Sequence, residues 1–225
     1  MKKYMIAALL LCAILTLLAD SGVAYLSANK GKVELTRNSQ ALKFKTGQIL
    51  NSEDVLKTGG QSFAAYKFVD ASSTVKVFAN SVVKIKAYKE GKNLSKTVAV
   101  SKGNVYSSVK KNTGAYRVDT PGTVASVKGT GFLTGVSASE GTKYIVVDGT
   151  IEIEIKATGE RKSLGAGKSA TIDNDGNYEE YDTTPGEVGE IEELEDEAGE
   201  PFEQSKIRIP IQNAAGQTKY IEISY

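Results

Sequence analysis

Between Lys32 and Ile172 the chain is written almost entirely in period two. Thr74-Val75-Lys76-Val77, Val83-Lys84-Ile85-Lys86-Ala87-Tyr88 and Ile151-Glu152-Ile153-Glu154-Ile155-Lys156 each alternate apolar with polar residues. Such a run puts its apolar side chains on one face of an extended strand and its charges on the other. Gly59-Gly60, Glu90-Gly91, Asp148-Gly149 and Asp175-Gly176-Asn177 punctuate the runs as turn signals. Gly31, Gly47, Gly103 and Gly149 each stand two residues before a β-branched residue, at irregular spacing, so no repeat protein is implied. No stretch before residue 186 carries a 3.6-residue period. These features predict an all-β sandwich or barrel rather than a parallel α/β sheet.

The N-terminus has the pattern of an export signal. Lys2 and Lys3 precede the uncharged apolar run Met5 to Ala19, which Asp20, Ser21 and Gly22 interrupt. Gly22-Val23-Ala24 offers small residues at both positions that a signal peptidase reads, and Leu26-Ser27-Ala28 is a second choice. Residues 1–24 are therefore expected to be a cleaved signal peptide, with the mature chain starting at Tyr25 or else at Asn29. The apolar run is shorter than the roughly 20 residues that span a bilayer, so no membrane span is expected after cleavage. Cys12 follows Leu11, not the small residue of lipidated signals, and reads as an ordinary apolar residue. The expected location is periplasmic or extracellular.

Composition then narrows the chemistry. The chain has no His, and its single Cys is Cys12. After signal removal it could assemble neither a Ser-His-Asp triad nor a Cys nucleophile, and no typical zinc site or disulfide. Gly165-Ala166-Gly167-Lys168-Ser169 looks like a phosphate-binding loop, but Lys162 stands where its first Gly belongs and strand pattern follows. Asp173-Asn174-Asp175-Gly176 resembles part of a calcium loop. Aligned on Gly176, it has Thr171 at the first ligand position and Asp182 at the last. A type I′ hairpin turn accounts for the same residues, so Asp173 and Asp175 are at most a weak calcium turn. The glutamates after residue 186 share one aqueous environment, whereas acid–base catalysis needs two different ones. The lysines stand singly along the strands without an aromatic-rich stripe, which argues against nucleic acid. The chain reads as a non-enzyme without a cofactor or metal.

The net charge of +1 hides two opposed blocks. Residues 29–182 hold 23 Lys or Arg against 16 Asp or Glu, giving +7; residues 183–225 hold 3 against 10, giving −7. The division predicts a body over 29–182, an acidic linker over 183–205 and a hairpin over 206–225. Val188, Ile191 and Leu194 leave a short amphipathic helix open within the linker, beside disorder. Ile207, Ile209 and Ile211 share one face of the first hairpin strand, and Ile221, Ile223 and Tyr225 one face of the second.

Several stretches of the body, in order, resemble the FecR domain family. They include Gly47-Gln48-Ile49-Leu50, Asp54-Val55-Leu56, Phe68-Val69-Asp70 and Asn80-Ser81. The most specific pair is Tyr116-Arg117-Val118-Asp119-Thr120-Pro121 with Val127-Lys128-Gly129-Thr130-Gly131-Phe132, followed by Gly149-Thr150-Ile151. The second strand carries Lys128 where the family pattern usually has Arg. The resemblance implies a jelly-roll-like β sandwich and relatives that relay signals by contact. Thr120, Pro121, Gly129, Thr130 and Phe132 read as structural: an extended approach to a turn, a close backbone contact and a core anchor. Regulatory relatives resemble an anti-sigma segment, a span and then this domain, whereas here the domain follows the signal directly. The expected function is an exported interaction module contacting another envelope protein or an envelope polymer, its oligomeric state open. The alternatives are a small-ligand sensor of ferric-citrate type and, behind it, an envelope sugar-processing enzyme. Arg37, Arg117 and Arg161 stand far apart in sequence for a citrate site.

Overall fold

A computed structural model describes residues 22–43, 45–198, 206–212 and 218–224. The signal segment up to Ser21 lies outside the described residues. The body is a sandwich of two sheets that share one strand. The first sheet runs, edge to edge, β4 (Ile49–Leu50), β1 (Ala24–Lys30), β6 (Phe63–Phe68), β7 (Ser73–Val77) and the second half of β9 (Asn93–Val109). It continues through β12 (Gly131–Ser137), β13 (Gly141–Asp148), β16 (Lys168–Ile172) and β17 (Tyr178–Asp182). The second sheet runs β3 (Gln40–Leu42), β2 (Val33–Arg37), β5 (Val55–Thr58), β8 (Val82–Glu90) and the first half of β9. It ends with β10 (Tyr116–Asp119), β11 (Thr123–Val127), β14 (Thr150–Ile155) and β15 (Arg161–Gly165). Every pairing is antiparallel except β9 with β10. The expected β sandwich is what the chain forms. Its first strand begins at Ala24, ahead of the expected body boundary at residue 29.

The alternation sorts side chains as the period requires. Leu35, Leu56, Val83, Ile85, Val98, Val118, Ile151, Ile153 and Ile155 from the second sheet meet Tyr66, Phe68, Val75, Phe132, Tyr144 and Val146 from the first. The first sheet also buries its other face. Phe63, Ala65, Phe78, Tyr106, Leu133, Ile145 and Val147 form a second apolar cluster, on which Val188 and Ile191 sit.

Those two residues belong to helix α1 (Pro185–Ala198), which occupies most of the segment expected to be a linker. Its start is a capping box. Glu187 N–H donates to Thr184 Oγ1 at 3.2 Å, and Thr184 N–H donates back to Glu187 Oε2 at 3.0 Å, with Pro185 at the first helical position. Burying Val188 and Ile191 is worth roughly 1.5–3 kcal/mol each, enough to hold a helix that two glycines weaken. Lys143 of β13 reaches Glu190 at 2.6 Å, so the acidic block does meet the basic body. Further on, β18 (Lys206–Gln212) and β19 (Thr218–Ser224) pair as the expected hairpin, with Ile207 opposite Ile223 and Ile209 opposite Ile221.

Lys96 of β9 is fully buried. Its ammonium donates to Asp70 Oδ2 at 2.7 Å, Ser72 Oγ at 2.5 Å and the Thr113 carbonyl at 2.9 Å. Three donors meet three acceptors, and the turn after β6 is tied to the loop before β10. Replacing the cation by an apolar side chain should leave Asp70, Ser72 and the Thr113 carbonyl without their shared donor. Lys96→Met is expected to cost about 3 kcal/mol in denaturant melts, the low end for a broken buried pair because Asp70 keeps some water.

Burial alone would raise the Glu187 carboxyl, but hydrogen bonds from Thr184, Tyr181 and Ser169 hold it below 4.5. With the folded value depressed, its contribution is complete above the unfolded glutamate range and disappears as pH falls through the folded value. Hydrogen exchange of the α1 amides should therefore accelerate below about pH 4. Glu187→Ala should show the faster exchange already at neutral pH, with a loss of about 1 kcal/mol.

Candidate functional site

The two most specific stretches of the sequence form the hairpin β10–β11 and its continuation into β12. The turn between β10 and β11 is held by Thr120 N–H on the Thr123 carbonyl at 2.9 Å, with Pro121 exposed at its tip. The buried Thr120 hydroxyl also accepts from Thr123 N–H at 3.0 Å and lies 2.8 Å from the Thr123 hydroxyl and 3.1 Å from that of Thr142. Thr123 Oγ1 lies 2.7 Å from the Tyr144 phenol, closing a chain of buried hydroxyls. Burial pushes that phenol well above its ordinary range, against the pull of the two threonines. Thr130 Oγ1 donates to the Thr150 carbonyl at 3.0 Å, which braces the start of β12 against β14. Phe132 is buried in the core between the sheets.

Gly129 is the point of closest approach. Its φ is +77°, and a Cβ there would lie 2.1 Å from Lys111 Cγ and 3.0 Å from Lys111 Cα. Gly149 is placed against it: a Cβ on Gly149 would come within 2.5 Å of the Gly129 carbonyl oxygen. Two glycines thus let the return loop before β10, the start of β12 and the turn before β14 crowd together.

Beside this crossing lies an open groove of about 770 Å³. Its walls include Tyr116, Arg117, Val127, Lys128, Gly149, Thr150 and Ile151, all from stretches that carry the sequence signature. The sheet register aligns its floor. Arg117 lies opposite Ser126, Ser126 opposite Glu152 and Glu152 opposite Ser163. Lys111 completes the lining, a residue with no pattern of its own that joins the groove only through the fold. Lys111, Arg117 and Lys128 are exposed and make no ion pair among the described residues. Glu152 is the one acid of the lining, and it faces Arg161 at 3.8 Å.

The other candidates fall elsewhere. Asp173 Oδ1 accepts from the N–H groups of Asp175 and Asn177, both at 2.9 Å, and Oδ2 from the Asn177 amide at 2.7 Å. Those bonds, the Asn177 amide foremost, lower its pKa. The turn is not type I′, because Asn174 and Asp175 lack the positive φ that type requires; only Gly176 has it, at +90°. Asp173 directs the loop by accepting its amides. Gly165-Ala166-Gly167 links β15 to β16, and Ala166 and Gly167 donate their N–H groups to the carbonyls of Gly149 and Val146. Among the described residues no cluster of three or more Asp or Glu is gathered as for a metal ion.

Gly129→Val should cost about 3 kcal/mol or more in denaturant melts, since a β-branched residue is strained at this φ and would strike the Lys111 backbone. Gly122→Val, at a position with open space around it, is the control and should shift the midpoint far less.

Comparison with known proteins agrees with the placement of the signature. The family model described as FecR protein matches residues 54–152, inside the stretch from Gly31 to about Gly176 over which the sequence resembles the family. No curated protein matches the chain. Among solved structures, a candidate anti-sigma factor from Parabacteroides distasonis ATCC 8503, determined at 1.65 and 2.50 Å resolution, superposes with a TM-score of 0.51 at 14% identity. The match covers 60% of this chain and 62% of that one, so the chain spans less than two thirds of that protein's length. At that identity the likeness concerns the fold. Residues 54–152 of the chain match the FecR family.

Proposed function

We propose that this chain is an exported, non-enzymatic interaction module of a bacterial envelope signalling system, and that its groove receives an acidic segment of a partner protein. One observation carries the reading. Stretches of the signature far apart in sequence converge on one groove, and three cations there make no ion pair among the described residues. Unpaired charge on a concave surface steers an opposite charge toward it and sets register once it arrives. A backbone crossing at Gly129 and Gly149, built from rigid strands, gives that contact a fixed shape.

The small-ligand alternative fares less well on the same geometry. A citrate-like anion would call for clustered guanidiniums. Arg37 is committed to Asp54, with both contacts at 2.8 Å, and Arg161 reaches Glu154 at 2.8 Å. Only Arg117 faces the groove.

Charge reversal tests the proposal. The double variant Arg117→Glu, Lys128→Glu should keep its unfolding midpoint, because both side chains are exposed. A photo-crosslinker at Ser126 in the exported protein should capture a discrete partner in the native cell, and the double variant should lose that capture at least tenfold. Binding of a glutamate-rich peptide should fall with added salt in the parent and be absent in the variant. Equal capture by both chains would overturn the proposal, and capture of polymer rather than protein would favour an envelope polymer. Loss of peptide binding to citrate competition alone would favour the small-ligand reading.

A further inference from the structure

Two tripeptides near the end of the apolar leader have small residues at both positions read by a signal peptidase: Ala19-Asp20-Ser21 and Gly22-Val23-Ala24. Both satisfy the small-residue rule, and the second is the cut expected from the sequence. The fold favours the first, because residues 23 and 24 belong to the sandwich. Val23 and Ala24 are buried members of the main core. Val23 N–H donates to the Leu50 carbonyl at 2.8 Å, and the Val23 carbonyl accepts from Val69 N–H at 3.0 Å. Ala24 is in register with Leu50 on one side and Phe68 on the other, so it joins β4 and β6 through β1. Gly22 packs so closely on Ile49 that a Cβ would lie 2.2 Å from its Cγ2.

We infer that the maturing cut falls between Ser21 and Gly22, three residues before the site that the sequence pattern favours. Water adds across that peptide bond, leaving a carboxylate on Ser21 and an α-ammonium on Gly22. The new terminus then sits just outside the core. A cut after Ala24 would remove both buried residues and leave the Leu50 carbonyl and the Val69 N–H without these partners. It would also set a charged ammonium at Tyr25, in register with Ile49 and Lys67 inside the sheet. The processing enzyme acts on an unfolded chain, so the fold does not guide it. Core residues at 23 and 24 serve the folded molecule only if they survive the cut.

This inference rests on the export reading above, and one measurement distinguishes their failures. Intact mass and N-terminal sequencing of the full-length gene product, recovered from the envelope fraction of a bacterial host, should give Gly22 as the first residue. Ser21→Tyr, which removes the small residue next to the cut, should accumulate precursor. A first residue of Tyr25 or Asn29, with Ser21→Tyr processed normally, would overturn the inference and leave export standing. Met1 retained on all molecules would overturn both.

Discussion

The architecture depends on a bend in one strand. Residues of β10 pair in parallel with the first half of β9, Tyr116 beside Lys96. A straight β9 would carry Val109 roughly 43 Å from Lys96. The loop from Lys110 to Ala115 spans at most about 25 Å, so it could not bring the chain back. The bend comes at Gly103. Pairing with β8 shifts register just before it, and φ there is +88°. A Cβ at Gly103 would lie 2.6 Å from Ser81 Cα. Before the bend β9 belongs to the second sheet, and after it to the first. One glycine therefore turns a long hairpin strand into the hinge of a sandwich and makes a parallel pairing reachable through a short loop.

Buried ions then lock the corners that the bend creates. Lys96, on the arm before Gly103, holds Asp70 and Ser72 from the β6–β7 turn of the other sheet. Burial would raise the Asp70 carboxyl, yet the Lys96 and Ser72 bonds keep it below its ordinary value. Arg37 holds Asp54, whose Oδ2 also accepts Asn51 N–H at 2.8 Å. Both aspartates belong to stretches that look like family signature, and in the fold both act as braces. Charges enclosed this way contribute geometry more reliably than net stability, because desolvation offsets much of the attraction.

Much of this was legible in the sequence, and the reasons for the gaps are physical. The strands were readable because half-buried positions alternate, as Ile151 to Lys156 does. The second buried face was harder. Tyr144-Ile145-Val146-Val147 and Phe63-Ala64-Ala65-Tyr66 are continuous apolar runs, the pattern of strands covered on both sides, so the first sheet needs a further layer over it. Helix α1 supplies that layer. Its start was written in Thr184-Pro185-Gly186-Glu187, a capping box in a segment whose acidity suggested a linker. Composition described the solvated face of the helix; Val188 and Ile191 described the other. The basic groove had no such signal, because Lys111 and Glu152 become neighbours of Arg117 only through the return loop and the register of β11 with β14.

The groove and the bend are consequences of the same constraint. A loop that must carry the chain from the end of β9 back to its beginning has to pass close over the strands between them. It does so at Lys111, and Gly129 is the residue that makes room. Any side chain at 129 would lift the loop, and with it Lys111, away from Arg117 and Lys128. The family signature around Gly129 is then explained without a catalytic role for Thr130: it preserves a crossing. The crossing in turn fixes where the cations stand. A groove made this way is as rigid as the sheet beneath it, and the partner contact proposed for it would rest on shape and charge rather than on closure around a ligand.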